Sequence, residues 1–282
     1  MRTELQNSLR MLVRTREDFQ AMRKRLDNRI GRKADGSNQN INDSRCILVE
    51  DVAVIKYFSD EARRMEKEVE KQLLAHLKRF PVYDIFLQRV KGVGTIAAAW
   101  LLGEFDIEEA TTVSKMWQYA GFNPGMVRGK KAIKKKDYKP EMGEIVGSLP
   151  NAVDGSERVA VLTDTLIRGD CMTEGFLSPY NKPLRTALVG VMADGFIKQQ
   201  NTYCLEFYYP YKLRLEQSDQ KVLHLKKMVP WKEVSKGHRD RAAKRKMVKE
   251  FLKDLYAEWR AVEGLPVRKP YAEEYLGKKH AA

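Results

Sequence analysis

Apolar residues recur along the first eighty positions at steps of three, four and seven. Leu5, Leu9, Leu12, Phe19, Met22, Leu26 and Ile30 form one such series. These steps place them on one stripe of a helix that Gly31 is suited to end. A second series, Leu48, Val52, Ile55, Phe58, Ala62, Met65, Val69, Leu73, His76 and Phe80, starts near Ser44 and has charges between its members. Residues 33–43, rich in Gly, Ser, Asn and Asp, read as the loop between two helices that return on each other. The pattern predicts a long antiparallel coiled-coil arm over 1–80; plain helix packing is the alternative, and closure on itself or dimerisation is left open.

Pro81 ends this region, and a short amphipathic segment follows over 82–90. Next comes Lys91-Gly-Val-Gly-Thr-Ile-Ala-Ala-Ala-Trp-Leu-Leu-Gly-Glu-Phe105, apolar on both sides of a Gly-x-Gly turn. That pattern reads as a helix-hairpin-helix. Gly92 and Gly94 permit positive φ and close backbone approach, and Thr95 is placed to cap the next helix. Amides at that helix start, beside Lys91, could then meet a phosphate. A tight structural turn is the plain alternative.

A short helix is predicted over 113–120, stopped by Gly121 and Pro124. Arg128-Gly-Lys-Lys-Ala-Ile-Lys-Lys-Lys136 has six basic residues in nine positions. It reads as a loop whose Arg128, Lys130, Lys131, Lys134, Lys135 and Lys136 track a phosphate backbone, or as a solvated loop without a role. Residues 137–176, with several glycines, read as an insertion holding one helix over 159–167. An apolar helix is expected over 183–199, followed by Tyr203, Phe207, Tyr208, Tyr209 and Tyr211. Those rings suit base stacking or, more simply, core packing through Phe207 and Tyr211. A largely helical stretch over 232–261 carries an inward stripe of Met247, Phe251, Leu255 and Trp259. Its Arg239, Arg241, Lys244, Arg245, Lys246 and Lys249 are expected to be mostly free for phosphates.

Composition sharpens the partner class. The 282 residues carry 52 Lys and Arg against 38 Asp and Glu, a net +14. An excess of that size suits a polyanion, DNA first, branched DNA included, with RNA left open. Apolar residues at 43% argue for a folded chain. Cys46, Cys171 and Cys204 form no C-x-x-C pair, and no apolar run approaches the roughly 20 residues of a membrane span. A cytoplasmic setting without membrane contact is expected. His76, His224, His238 and His280 lack metal-ligand spacing, and no P-loop or dinucleotide fingerprint occurs, so neither metal nor cofactor is expected.

Three runs taken in order are similar to the C-terminal domain of the Piv/MooV-type insertion-sequence transposases. They are Gly92-Val-Gly-Thr-Ile-Ala-Ala98 and its helix, Tyr119-Ala-Gly-Phe-Asn-Pro124 with the Gly129-Lys130 loop, and Asn181-Lys-Pro-Leu-Arg-Thr-Ala-Leu188. Together with the helices through Tyr211 they cover a little under half of the chain. The resemblance implies DNA binding in transposition or recombination of a mobile element or phage, with Lys182 and Arg185 at the substrate. It also implies a serine-bearing domain. The Pro124 to Lys131 stretch holds no Ser or Thr, and of Ser148, Ser156 and Ser178 only Ser178 sits beside a matched motif. Ser178 is thus the candidate nucleophile, with a turn residue as its plain alternative. The family's RuvC-like domain with four acidic ligands has no counterpart in this sequence, and Glu61, Glu66, Glu68 and Glu70 read as ordinary surface pairs. Binding is therefore expected ahead of chemistry, and a non-catalytic nucleic-acid scaffold is the alternative. The predicted fold is all-α, divided at 1–80, 81–217 and 218–282.

Overall fold

A computed structural model describes residues 2–31, 49–224, 227–270, 274 and 277. The predicted loop at 33–43, the helix start near Ser44, Cys46, Leu48 and His280 lie outside the described residues. The chain divides into two compact units. One is formed by residues up to Arg89 together with Val93–Asp106, the other by Val90–Gly92 and residues from Ile107 onward.

In the first unit, α1 (Arg2–Arg29) and α2 (Val49–Leu77) pack on each other and both pack on α4 (Thr95–Glu104). The short α3 (Pro81–Ile85), with Pro81 opening its first turn, joins α2 to this layer. Leu9, Ala62, Leu73, Leu77, Ala98 and Leu101 are fully buried. The Gln6 amide donates to the carbonyls of Leu102 (3.1 Å) and Phe105 (2.8 Å), and Arg10 Nε donates to Gly103 O (2.6 Å). These bonds occupy carbonyls at the end of α4 that no helical amide reaches.

The seam between α1 and α2 differs from the one predicted. Phe58 and Met65, expected inside, are 53% and 38% exposed, while Ser59 and Glu66 are buried. Glu66 accepts from Arg23 and pairs with Arg16 (3.4 Å). Asp27, also buried, accepts from Ser59, Arg23 (3.3 Å) and Arg63 (3.4 Å). Glu66 is thus a buried network member, whereas Glu61 and Glu68 form the surface pairs expected of them, with Arg64 and Lys71. An ionic seam and a third helix on the same face correct the coiled-coil reading: among the described residues there is no long coiled-coil arm.

The second unit corrects the fold class to mixed α/β. Strands β1 (Met126–Lys134), β2 (Glu144–Leu149) and β3 (Arg158–Arg168) form an antiparallel sheet in the order β1-β3-β2. The expected basic loop is thus a strand, and so is the expected helix over 159–167. Val159, Val161, Thr163, Thr165 and Ile167 put a β-branched residue at every second position, the period and residue type of a strand. A second, two-stranded sheet pairs β4 (Lys221–His224) with β5 (Lys227–Pro230).

The helices of this unit are α5 (Val113–Tyr119), α6 (Lys182–Thr186), α7 (Ala193–Lys198), α8 (Tyr209–Gln217) and α9 (Lys236–Val262). Two of the later links between them are wider helical turns. Ala187–Met192 runs as a π-helix from α6 into α7, so the apolar helix expected over 183–199 is present. A second π-turn, Cys204–Tyr208, leads into α8. Its wider winding shifts the buried positions to Cys204 and Tyr208, leaving Phe207 and Tyr211 only partly covered. The inward stripe of α9 is as expected: Met247, Phe251, Leu255 and Trp259 are fully buried. No helix among the described residues is long and apolar enough to cross a membrane.

Candidate nucleic-acid interface

The second unit brings together two of the three sequence runs singled out above. Helix α5 ends in a Schellman arrangement: Phe122 N donates to Trp117 O (2.7 Å) and Gly121 N to Gln118 O (3.0 Å), with Gly121 at φ +74°. Tyr119 then meets Asn181. The Asn181 backbone amide donates to Tyr119 O (2.8 Å), and its side-chain amide donates to the Tyr119 hydroxyl (3.0 Å). Asn181 also caps α6 by accepting from Leu184 N (3.0 Å).

The sheet holds the approach to α6. A bulge between Arg128 and Lys130 interrupts the β1–β3 register, and Thr163 donates its hydroxyl to Gly129 O (2.9 Å). A Cβ on Gly129 would fall 2.5 Å from the Phe176 ring, so glycine lets this segment lie on β1. Leu177 N donates to Lys130 O (2.7 Å). The chain then passes through Ser178 and Tyr180 into α6.

At the start of α6 four cations line a recess of about 440 Å³: Lys182 and Arg185 from α6, Arg241 and Arg245 from α9. The two from α9 lie one helical turn apart, and α9 packs on Ala187–Met192. Tyr180, Thr186, Val189 and Gly190 complete the wall, and no carboxylate lines it. Arg185 is held in place, with Nη1 donating to Asp170 O (2.6 Å) and its guanidinium lying 4.7 Å from the Tyr180 ring centroid. Asp170 spends its carboxylate on Arg168, at 3.0 and 2.9 Å. Among the described residues none of the four cations forms an ion pair, and the Asp170 carboxylate acts on Arg245 from outside the wall. Arg245 is partly buried, and burial first, then the nearby Arg185 charge, lower its pKa from the ordinary value.

Most other expected contact residues are engaged elsewhere. On β1 and just after it, Arg128 pairs with Asp164 (2.7 Å), Lys134 with Asp154 (2.6 Å) and Lys135 with Glu157 (2.7 Å). Lys130, Lys131 and Lys136 are exposed, with Lys131 over the Phe176 ring at 5.0 Å. On α9 only Arg241 and Arg245 answer the expectation of free cations. Arg239 is buried and donates to the carbonyls of Lys232 (2.9 Å) and Val234, a structural role. Lys244 pairs with Asp194 (2.7 Å) and Asp240 (3.1 Å), and Lys246 with Glu250 (2.7 Å). Lys249 lies over the Trp117 ring at 4.3 Å, and its pKa is lowered mainly by burial. Helical spacing alone treats these six alike, because the acids, carbonyls and ring that engage four of them lie on other elements or interleave with them.

The Gly-x-Gly turn is built differently from the expectation. Gly92 takes φ +94°, and a Cβ there would sit 2.8 Å from the Gly195 carbonyl carbon, so this glycine serves packing on α7. Lys91 is exposed, and its carbonyl accepts from the Asn201 amide (2.8 Å). Gly94, not Thr95, occupies the N-cap of α4; Thr95 is the first helical residue and gives no side-chain cap. Gly94 and Thr95 belong to the first unit, and the four cations to the second.

Ser178 donates its hydroxyl to Tyr180 O (2.8 Å), the bond of a turn residue. Among the described residues no group of three His, Cys, Asp or Glu is placed to hold a metal. Sequence reasoning missed Tyr180, Thr186, Val189 and Gly190. Tyr180 had a signal, lying beside the Asn181 motif; the others become wall residues only through the placement of α9. Compared with known protein families, curated proteins and solved structures, the chain matches none.

Proposed function

We propose that this chain is a DNA-binding protein of the transposase or recombinase type, working in a cytoplasmic setting and gripping phosphate through Lys182, Arg185, Arg241 and Arg245. One observation carries the reading: Arg128 and Lys134 on β1 and Lys244 and Lys246 on α9 pair with acids, while these four line one recess and form no ion pair. Confining unmatched cations together raises their mutual repulsion, and a bound polyanion relieves it. Exposed Lys130, Lys131 and Lys136 would add backbone contacts of the salt-sensitive kind. The transposase assignment rests on the Tyr119, Gly121, Asn181 and Arg185 runs, which the fold packs against one another. Binding is favoured over strand chemistry, since the Ser178 hydroxyl is committed to a backbone carbonyl.

The test is a titration of duplex, single-stranded and four-way-junction DNA, and of RNA, at two salt concentrations. The expected outcome is affinity that falls steeply with salt. In an Arg241→Gln, Arg245→Gln double variant the slope of log K against log salt should shrink by about two. An unchanged slope would remove the recess from the interface, and preference for RNA over every DNA form would replace DNA as the partner.

A further inference from the structure

The recess holds more positive charge than a passing backbone phosphate would use. Each diester carries one negative charge, whereas a terminal phosphomonoester carries roughly −1.5 to −2 at pH 7 and offers three acceptor oxygens. Four cations line the recess with no carboxylate in the wall, and the acid that acts on Arg245, Asp170, is bidentate on Arg168. A volume of about 440 Å³ lies within the range of compact ligand pockets, roughly 300–1,000 Å³. Duplex backbone is a convex rod with its charges in a row, which matches exposed β1 lysines better than a concavity.

We propose that this recess seats the phosphomonoester at the end of a nucleic-acid strand; the inference rests on the reading that the protein binds nucleic acid. Arg185 is prepared for that task. Its Nη1 is fixed on Asp170 O and its guanidinium carbon sits over the Tyr180 ring, so the group is held before any ligand arrives. Arg241 and Arg245 line the recess from α9, and guanidinium donors suit phosphate oxygens. Lys182 is exposed at the start of α6, and Thr186 adds a neutral hydroxyl. On the remaining side Gly190 contributes no side chain, and a Cβ placed there meets nothing within 4 Å. That opening leaves space for the sugar following the phosphate.

The experiment uses a labelled DNA hairpin with one open end bearing a 5′-phosphate, a 3′-phosphate or only hydroxyls, titrated by anisotropy with the full chain and with Arg245→Gln. A nucleoside monophosphate serves as competitor. The expected result is that one phosphorylated end binds roughly tenfold more tightly than the hydroxyl end, as befits charge-assisted hydrogen bonds, and that Arg245→Gln abolishes this preference. Equal affinity of the full chain for all three ends overturns the inference and leaves the proposed function standing. Absence of salt-sensitive binding to any probe overturns both. Competition by the monophosphate at the same concentration as the phosphorylated hairpin overturns the strand-end assignment in favour of a free nucleotide. A preference retained in Arg245→Gln also counts against the recess.

Discussion

Gly121 lies directly against the ring of Tyr180: a Cβ on Gly121 would fall 2.6 Å from Tyr180 Cγ and 3.1 Å from Arg185 Nη1. The left-handed backbone that ends α5 is therefore also the floor under the stacked Tyr180 and Arg185 pair. Gly121→Ala meets two penalties, strain at φ +74° and displacement of that pair. It should destabilise the fold by about 1–3 kcal/mol and weaken DNA binding. Urea denaturation beside a binding titration checks this, and wild-type values in both would show that the contact is slack.

Gly190 offers the opposite case. It lines the recess, is exposed, and a Cβ there meets nothing within 4 Å. Gly190→Leu should leave the denaturation midpoint unchanged or raised, because Gly is a poor helix former. It should lower affinity for DNA by partly filling the recess. Intact binding with intact stability would place the ligand elsewhere.

Arg260 lies outside the recess and ties distant segments of the fold together. It is buried, with Nη1 donating to the carbonyls of Ile107 (2.7 Å) and Ala110 (3.2 Å) and Nε donating to Pro266 O (2.6 Å). Arg260→Met removes the donor from three carbonyls and should cost about 3 kcal/mol or more. Arg260→Lys should recover only part of this, since one ammonium group cannot copy the planar fork. Denaturation midpoints of the two variants decide the matter, and a loss below about 1 kcal/mol for Met would contradict it.

His238 sets a pH dependence. Its pKa is lowered from the ordinary value by burial first, then by His224, Arg245 and Arg241. Its ring stands 4.9 Å from that of His224 and 5.7 Å from Trp231. The denatured chain takes up this proton near the ordinary value of about 6.5, the folded chain only below it. Stability is therefore full above about pH 6.5 and declines as pH falls toward the lowered value. Unfolding free energies at pH 7.5 and 5.5 should show this decline, and His238→Gln should reduce it. A steeper decline in the variant would reverse the assigned direction.

Much of the chain was legible in its residues. The helical period of α1, the inward stripe of α9, the stop at Gly121 and the surplus of cations follow from local spacing and counting, which depend on neighbours a few residues away, although Met22 of the α1 stripe is exposed. The β-branched alternation over 159–167 was also legible, and the density of Lys and Gly around it hid the sheet.

What tertiary structure alone decided is which charges are spent. Arg239 and Arg245 look alike in sequence, six residues apart on one basic helix. The fold gives Arg239 two backbone carbonyls and leaves Arg245 in a recess without an ion pair. In the same way it buries Glu66 in an ionic seam and turns Phe58 outward. Spacing defines the side of a helix on which a residue lies; the partner it meets there comes from distant segments, and that partner determines whether a charge is neutralised or available.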